Sequence, residues 1–102
     1  MKIDSIETLL IGDWPMVRIR TDNGLSGVGE GTFWAQPAAT TVVMESFKPY
    51  LLGQDPLAID RHWQYLYRSS SFRGASISAA LSAIDVALWD IAGKYYSAPI
   101  RN

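Results

Sequence analysis

The sequence has no cysteine, which excludes disulfides, thiol nucleophiles and thiolate metal sites and fits a cytoplasmic protein. It has almost no net charge, only −1, so no overall basic field recruits nucleic acid or an anionic membrane. It has no apolar run near the roughly 20 residues that a membrane-spanning helix needs. The first segment, "MKIDSIETLLIGDW", is broken by Asp4 and Glu7 and does not read as a signal peptide. Internal repeats and low-complexity tracts are also missing. What remains is 102 residues that are 48% hydrophobic and 19% charged, the composition of one small globular domain with a modest core.

The first third of the chain has strand character. "KIDSIETLLI" (2–11) is β-branched and apolar, but its alternation is too imperfect to assign faces. "GDWP" (12–15) is turn chemistry. "MVRIRTD" (16–22) alternates cleanly, with Val17, Ile19 and Thr21 on one face and Met16, Arg18 and Arg20 on the other. "TDNG" (21–24) ends in Asn-Gly, two residues that tolerate positive φ and so favour a hairpin. "LSGVGEG" (25–31) returns as a third strand, thinned by Gly27 and Gly29.

Helical spacing then takes over. In "PAATTVVMESFKPYLL" (37–52) the apolar stripe is Ala39, Val43, Phe47 and Tyr50, ended by Gly53. "DPLAIDRHWQYLYR" (55–68) offers Asp55 as N-cap, Pro56 as first helical residue, and a stripe of Ile59, Trp63, Leu66 and Tyr67. A polar loop, "SSSFRGAS" (69–76), leads to a third helix from about Ser76 to Lys94, which Pro99 cannot continue. Three strands followed by three helices predict an α+β fold: a three-stranded antiparallel meander and then a three-helix bundle.

The third helix carries an ordinary core stripe of Ile77, Leu81, Ile84, Leu88, Ile91 and Tyr95. Val86 and Trp89 lie on the far side, where a surface helix carries Lys and Glu; they predict a docking surface beyond the domain's own core. Asp85 and Asp90 flank the stripe on opposite sides, too far apart to share a metal ion. Asp90 precedes Lys94 by four residues, the spacing of a helix ion pair. Asp85 has no partner at that spacing and is expected to cap or bond a loop.

Chemistry-bearing motifs are sparse. "GLSGVGEG" contains G-x-G-x-G, but Thr32 stands where a dinucleotide fingerprint needs glycine, and no βαβ unit surrounds it. His62, the only histidine, has no nucleophile–acid constellation and is expected on a helix edge or surface. The serines of 69–71 form no nucleophile elbow, and the scattered acids form no metal loop. Trp14, Phe33 and Trp34 fall in connections, where aromatics can wall a ligand pocket or cover the ends of the sheet and helices.

Taken in order, "TDNGLSGVGEG", "LLGQDPLAIDRHWQYLYR", "FRGAS" and "SAIDVALWDIAGK" resemble the N-terminal capping domain of the enolase superfamily. The closest likeness is to the mandelate racemase/muconate lactonizing enzyme group, and within it to acid-sugar dehydratases of the galactonate and mannonate type. The resemblance implies a capping domain at 1–98 and, at 99–102, the start of a linker to a TIM-like barrel. In that family the barrel holds the essential Mg²⁺ and the Lys or His bases that remove a proton α to a carboxylate. It implies no metal and no catalytic residue on these 102 residues, which alone are expected to be inactive.

The family's cap loops follow the first and third strands, here at 12–15 and 32–36. The resemblance therefore makes Trp14, Phe33 and Trp34 lid candidates, and Arg73 a candidate for a sugar-acid hydroxyl or carboxylate. Val86 and Trp89 become an interface, because in the family this helix leads into the barrel. The implied partners are that barrel, a sugar-acid substrate and further copies in a homo-oligomer. The alternative expectation is a stand-alone inactive module that pairs through the Trp89 face.

Overall fold

Alternation of apolar and polar residues builds the sheet. The structure, a computed structural model, describes residues 1–12, 14–31, 37–69 and 75–97. Strands β1 (Ile3–Ile11), β2 (Trp14–Thr21) and β3 (Ser26–Glu30) form one antiparallel sheet in the order β1-β2-β3. Val17, Ile19 and Thr21 of β2 are buried on its inner face. The blurred alternation of β1 has a physical cause. A register shift between Ile3 and Ser5 lets both Ile3 and Ile6 point into the core. The β2–β3 turn keeps only Gly24 at positive φ, 88°, and Asn23 stays in ordinary backbone space. Gly24 N–H donates to Thr21 C=O at 3.2 Å and Thr21 N–H to Leu25 C=O at 2.9 Å, so the loop has three residues rather than the two expected of Asn-Gly.

Helices α1 (Pro37–Leu51), α2 (Ile59–Ser69) and α3 (Ala75–Tyr95) follow. α1 packs over β1 and β2, α3 over β3 and β2, and α2 against α3. The buried stripe of α1 is Thr40, Met44, Phe47 and Leu51, one residue on from the expected one. Gly53, at φ 84°, turns the chain after α1. The same turn ties down the start of the sheet: Gly53 N–H donates to Ile3 C=O and Ile3 N–H to Gln54 C=O, both at 2.8 Å. Asp55 and Pro56 do not open α2. The Asp55 carboxylate accepts Leu57 N–H at 2.9 Å in a separate turn, and the helix begins at Ile59.

The tightest contact is between α3 and β3. A methyl group on Gly27, Gly29 or Gly31 would lie 2.1, 1.8 or 2.9 Å from the carbonyl oxygen of Ala87, Ala83 or Ala79 respectively. Two strand residues advance about 6.8 Å and four helix residues about 6.0 Å, so alternate glycines meet successive turns of the helix. The glycines thin β3 so that a helix backbone can lie on it. At this distance α3 also closes the outer edge of β3. Asp90 Oδ2 accepts Val28 N–H at 3.1 Å, and Lys94 Nζ donates to Ser26 C=O at 2.7 Å. Asp90 and Lys94 make the expected ion pair, at 3.4 Å, and it doubles as a plug on the sheet edge.

Gly29→Ala is expected to destabilise the domain by about 3 kcal/mol, the upper end of the cost of overpacking. Gly24→Ala, in open space but at positive φ, should cost about 1 kcal/mol. Urea unfolding followed by circular dichroism measures both; equal costs would contradict the strand–helix contact.

Candidate functional site

The lid candidates are placed by the end of the sheet from which their loops depart. Trp14 opens β2, directly opposite Ile11 across the β1–β2 hairpin, and is 54% exposed. Leu9 and Met16 pair on the same face, so Trp14 tops an apolar hairpin tip with Leu9 and Ile11 exposed around it. Phe33, Trp34 and Arg73 lie outside the described residues. Their flanks are described. Gly31, the last described residue before 32–36, donates its N–H to Pro15 C=O at 2.8 Å, beside Trp14. Gly31 also meets Ala79, one turn into α3, whose start follows 70–74. Both segments therefore begin or end at the sheet end that carries Trp14.

The outward face of α3 carries Val86 and Trp89, 47% and 51% exposed. Trp89 is held from within its own helix: its side chain hydrogen-bonds Asp85, one turn earlier. Asp85 thus bonds no loop, contrary to expectation. Burial raises its carboxyl pKa first, the negative charge of Asp60 on α2 raises it further, and the Trp89 hydrogen bond opposes them. The second buried face of α3 is alanine, with Ala80, Ala83, Ala87 and Ala92 all buried beside the stripe of Leu81, Ile84, Leu88 and Ile91. Sequence reasoning missed this face. Its signal was the four-residue spacing of Ala79, Ala83 and Ala87 against the two-residue spacing of the glycines.

His62 is not on an edge or surface. It is wholly buried, at the i+3 position from Ile59 in the stripe of α2. Its Nε2 lies 2.7 Å from Asp55 C=O, which only accepts, so Nε2 carries the proton and donates. Nδ1 is then the acceptor for the Tyr50 hydroxyl at 2.8 Å. The ring joins α1, the Asp55 turn and α2, and burial lowers its pKa. The cavity beside it, lined by Ile59, Trp63, Asp85 and Leu88 among others, has about 10 Å³, room for one water at most. His62 is a structural residue with no substrate within reach.

Among the described residues, no three of His, Asp and Glu converge as ligands of a metal ion. The residues that would hold Mg²⁺ are thus not found in this set, and no step on this chain is routed through it. Among the same residues, no helix is long and apolar enough to cross a membrane.

The family profile described as mandelate racemase / muconate lactonizing enzyme, N-terminal domain, matches residues 5–102. A D-galactonate dehydratase of Verminephrobacter eiseniae (strain EF01-2) is 38% identical over 102 residues, covering 98% of this chain and 27% of its own length. An enolase from Pantoea ananatis, solved with bound D-gluconate and Mg, is 34% identical with a TM-score of 0.85, over 93% of this chain and 25% of its own. An enolase from Agrobacterium radiobacter, bound to Na and L-malate, is 30% identical with a TM-score of 0.88, over all of this chain and 29% of its own. The chain spans about a quarter of the length of the curated relative.

The buried imidazole makes stability depend on pH. Its folded pKa lies below its unfolded value, so the unfolded chain binds the extra proton on acidification. The stability that the neutral ring contributes is complete above the unfolded pKa, near 6.5, and is lost as pH falls from there towards the folded value. The urea midpoint of the wild type should therefore drop from pH 7.5 to pH 5, and that of His62→Gln should change less over the same interval. Parallel slopes would contradict a buried neutral His62.

Proposed function

The chain belongs to the mandelate racemase/muconate lactonizing enzyme family, whose N-terminal domain it matches over residues 5–102, and on that premise we propose that it caps the active site of a Mg²⁺-dependent acid-sugar dehydratase. The observation that carries the reading is the 38% identity to a D-galactonate dehydratase along nearly the whole of this chain. The structural likeness to an enolase holding D-gluconate and Mg points to the same class of substrate. The reaction removes the proton α to the sugar acid's carboxylate and expels the β-hydroxyl as water. Bound Mg²⁺ stabilises the charge that this proton loss leaves on the carboxylate. The metal ligands and the bases are assigned to a C-terminal TIM-like barrel.

The residues of this chain shape and seal the mouth of that barrel. Trp14, Phe33 and Trp34 form the apolar wall that excludes water once substrate is bound. Their supporting observation is the common sheet end from which both loops leave. Arg73, from the segment before α3, offers a guanidinium to a hydroxyl or carboxylate of the substrate. Val86 and Trp89 supply the apolar face of the interface with the barrel. Residues 1–98 are the cap and 99–102 the start of the linker.

The protein isolated from its natural source should release water from an acid sugar such as D-galactonate or D-gluconate when Mg²⁺ is present. Inactivity on a full panel of sugar acids would contradict the reading. Trp14→Ala in that enzyme should lower kcat/KM about tenfold, near 1.4 kcal/mol of transition-state binding, and leave the unfolding midpoint unchanged because the side chain is exposed. An unchanged kcat/KM would remove Trp14 from the lid.

A further inference from the structure

The two edges of the sheet are finished differently. The edge of β3 is plugged by Asp90 and Lys94. The edge of β1 is tied only at its start, where Ile3 exchanges hydrogen bonds with Gly53 and Gln54. The ladder shows which groups beyond that point face outward. Gly31 N–H to Pro15 C=O and Thr21 N–H to Leu25 C=O fix the set of alternate β2 residues that bonds to β3. The other set, Trp14, Met16, Arg18 and Arg20, turns to β1, opposite Ile11, Leu9, Glu7 and Ser5. Ile6, Thr8 and Leu10 therefore aim their N–H and C=O groups away from the sheet. Among the described residues, no backbone hydrogen bond meets them on that side. Around them Leu9, Leu10 and Ile11 are 38%, 46% and 58% exposed. An open, apolar edge of this kind is what a further strand pairs with.

We propose that the free edge of β1 pairs antiparallel with β1 of a second copy of this chain, about a two-fold axis at Thr8, joining two three-stranded sheets into one. The register follows from hydrogen bonding and charge. Centred on Thr8, the pairing sets Thr8 against Thr8 of the second copy and Ile6 against its Leu10, so every outward N–H and C=O of the three residues finds a partner. Between Ile6 and Ile11 the strand carries one charge, Glu7. In this register Glu7 lies opposite Leu9 of the second copy and keeps its own partner, Arg20, at 3.3 Å. A register centred on Glu7 sets two carboxylates face to face, which is destabilising. The interface differs from the Val86 and Trp89 face, so it stands whether or not the capping role does.

Sedimentation equilibrium of the 102-residue chain across micromolar to millimolar concentrations tests the pairing, together with amide hydrogen exchange. The expected particle has twice the 11.3 kDa mass, with protection of the Ile6, Thr8 and Leu10 amides rising with protein concentration. Thr8→Pro removes an outward N–H without touching the β1–β2 ladder, and Leu10→Lys places a charge on the edge. Each should weaken association tenfold or more, while Val42→Lys, on the exposed side of α1, should not. If Thr8→Pro fails to fold, Leu10→Lys and the wild-type exchange data decide. A monomer at millimolar concentration overturns the proposal. So does a dimer that leaves those amides unprotected, or protection independent of concentration, which would mean that the same chain covers its own edge.

Discussion

The rest of the fold depends on how closely α3 approaches β3. Gly27, Gly29 and Gly31 leave no room for a single carbon between the strand and the carbonyls of Ala87, Ala83 and Ala79. This contact sets the height and direction of α3. Only at that height do Asp90 and Lys94 reach the open groups of β3. Only in that direction do the start of α3 and the end of β3 come to the sheet end that carries Trp14. The leucine and isoleucine stripe then faces the other helices, and Val86 and Trp89 are left pointing outward.

A second constraint fixes α2, which packs on α3 rather than on the sheet. Its polar clamp is His62, bonded to Tyr50 of α1 on one side and to the Asp55 carbonyl on the other. A buried imidazole with both nitrogens satisfied holds three segments in one geometry, because leaving any of these groups unpaired costs the full desolvation of that group. Stacking of Tyr50 on Tyr65, 4.0 Å between ring centroids, extends the clamp towards the surface. The long α3 is thus gripped by glycines on one side and by a pinned helix on the other.

How much of this was legible in the sequence depends on whether a signal was local. The clean alternation of β2, the Gly53 turn and the Asp90–Lys94 spacing are local, and all three appear where the residues place them. The faces of β1 were not legible, because the register shift near Asp4 and Ser5 puts Ile3 and Ile6 on the same side. His62 was misread as an edge residue because its partners, Tyr50 and Asp55, lie 12 and 7 residues away and only folding brings them together. The alanine face of α3 escaped notice for a related reason. Ala is neutral in an apolar stripe, and its meaning here comes from glycines some 50 residues earlier. Of the candidate site, Trp14, Val86 and Trp89 are exposed as the sequence suggested, whereas the family resemblance, not periodicity, supplied their roles.

A cap with an apolar hairpin tip, an outward tryptophan on its longest helix and no converging ligand set among its described residues has the parts of a domain that works on another domain's chemistry. The intact mass of the protein purified from its natural source tests that claim most directly. A mass several times 11.3 kDa is the predicted result, since this chain spans 27% of the D-galactonate dehydratase it resembles. A native mass near 11.3 kDa would contradict it, because the cell would then make the cap with no barrel joined to it.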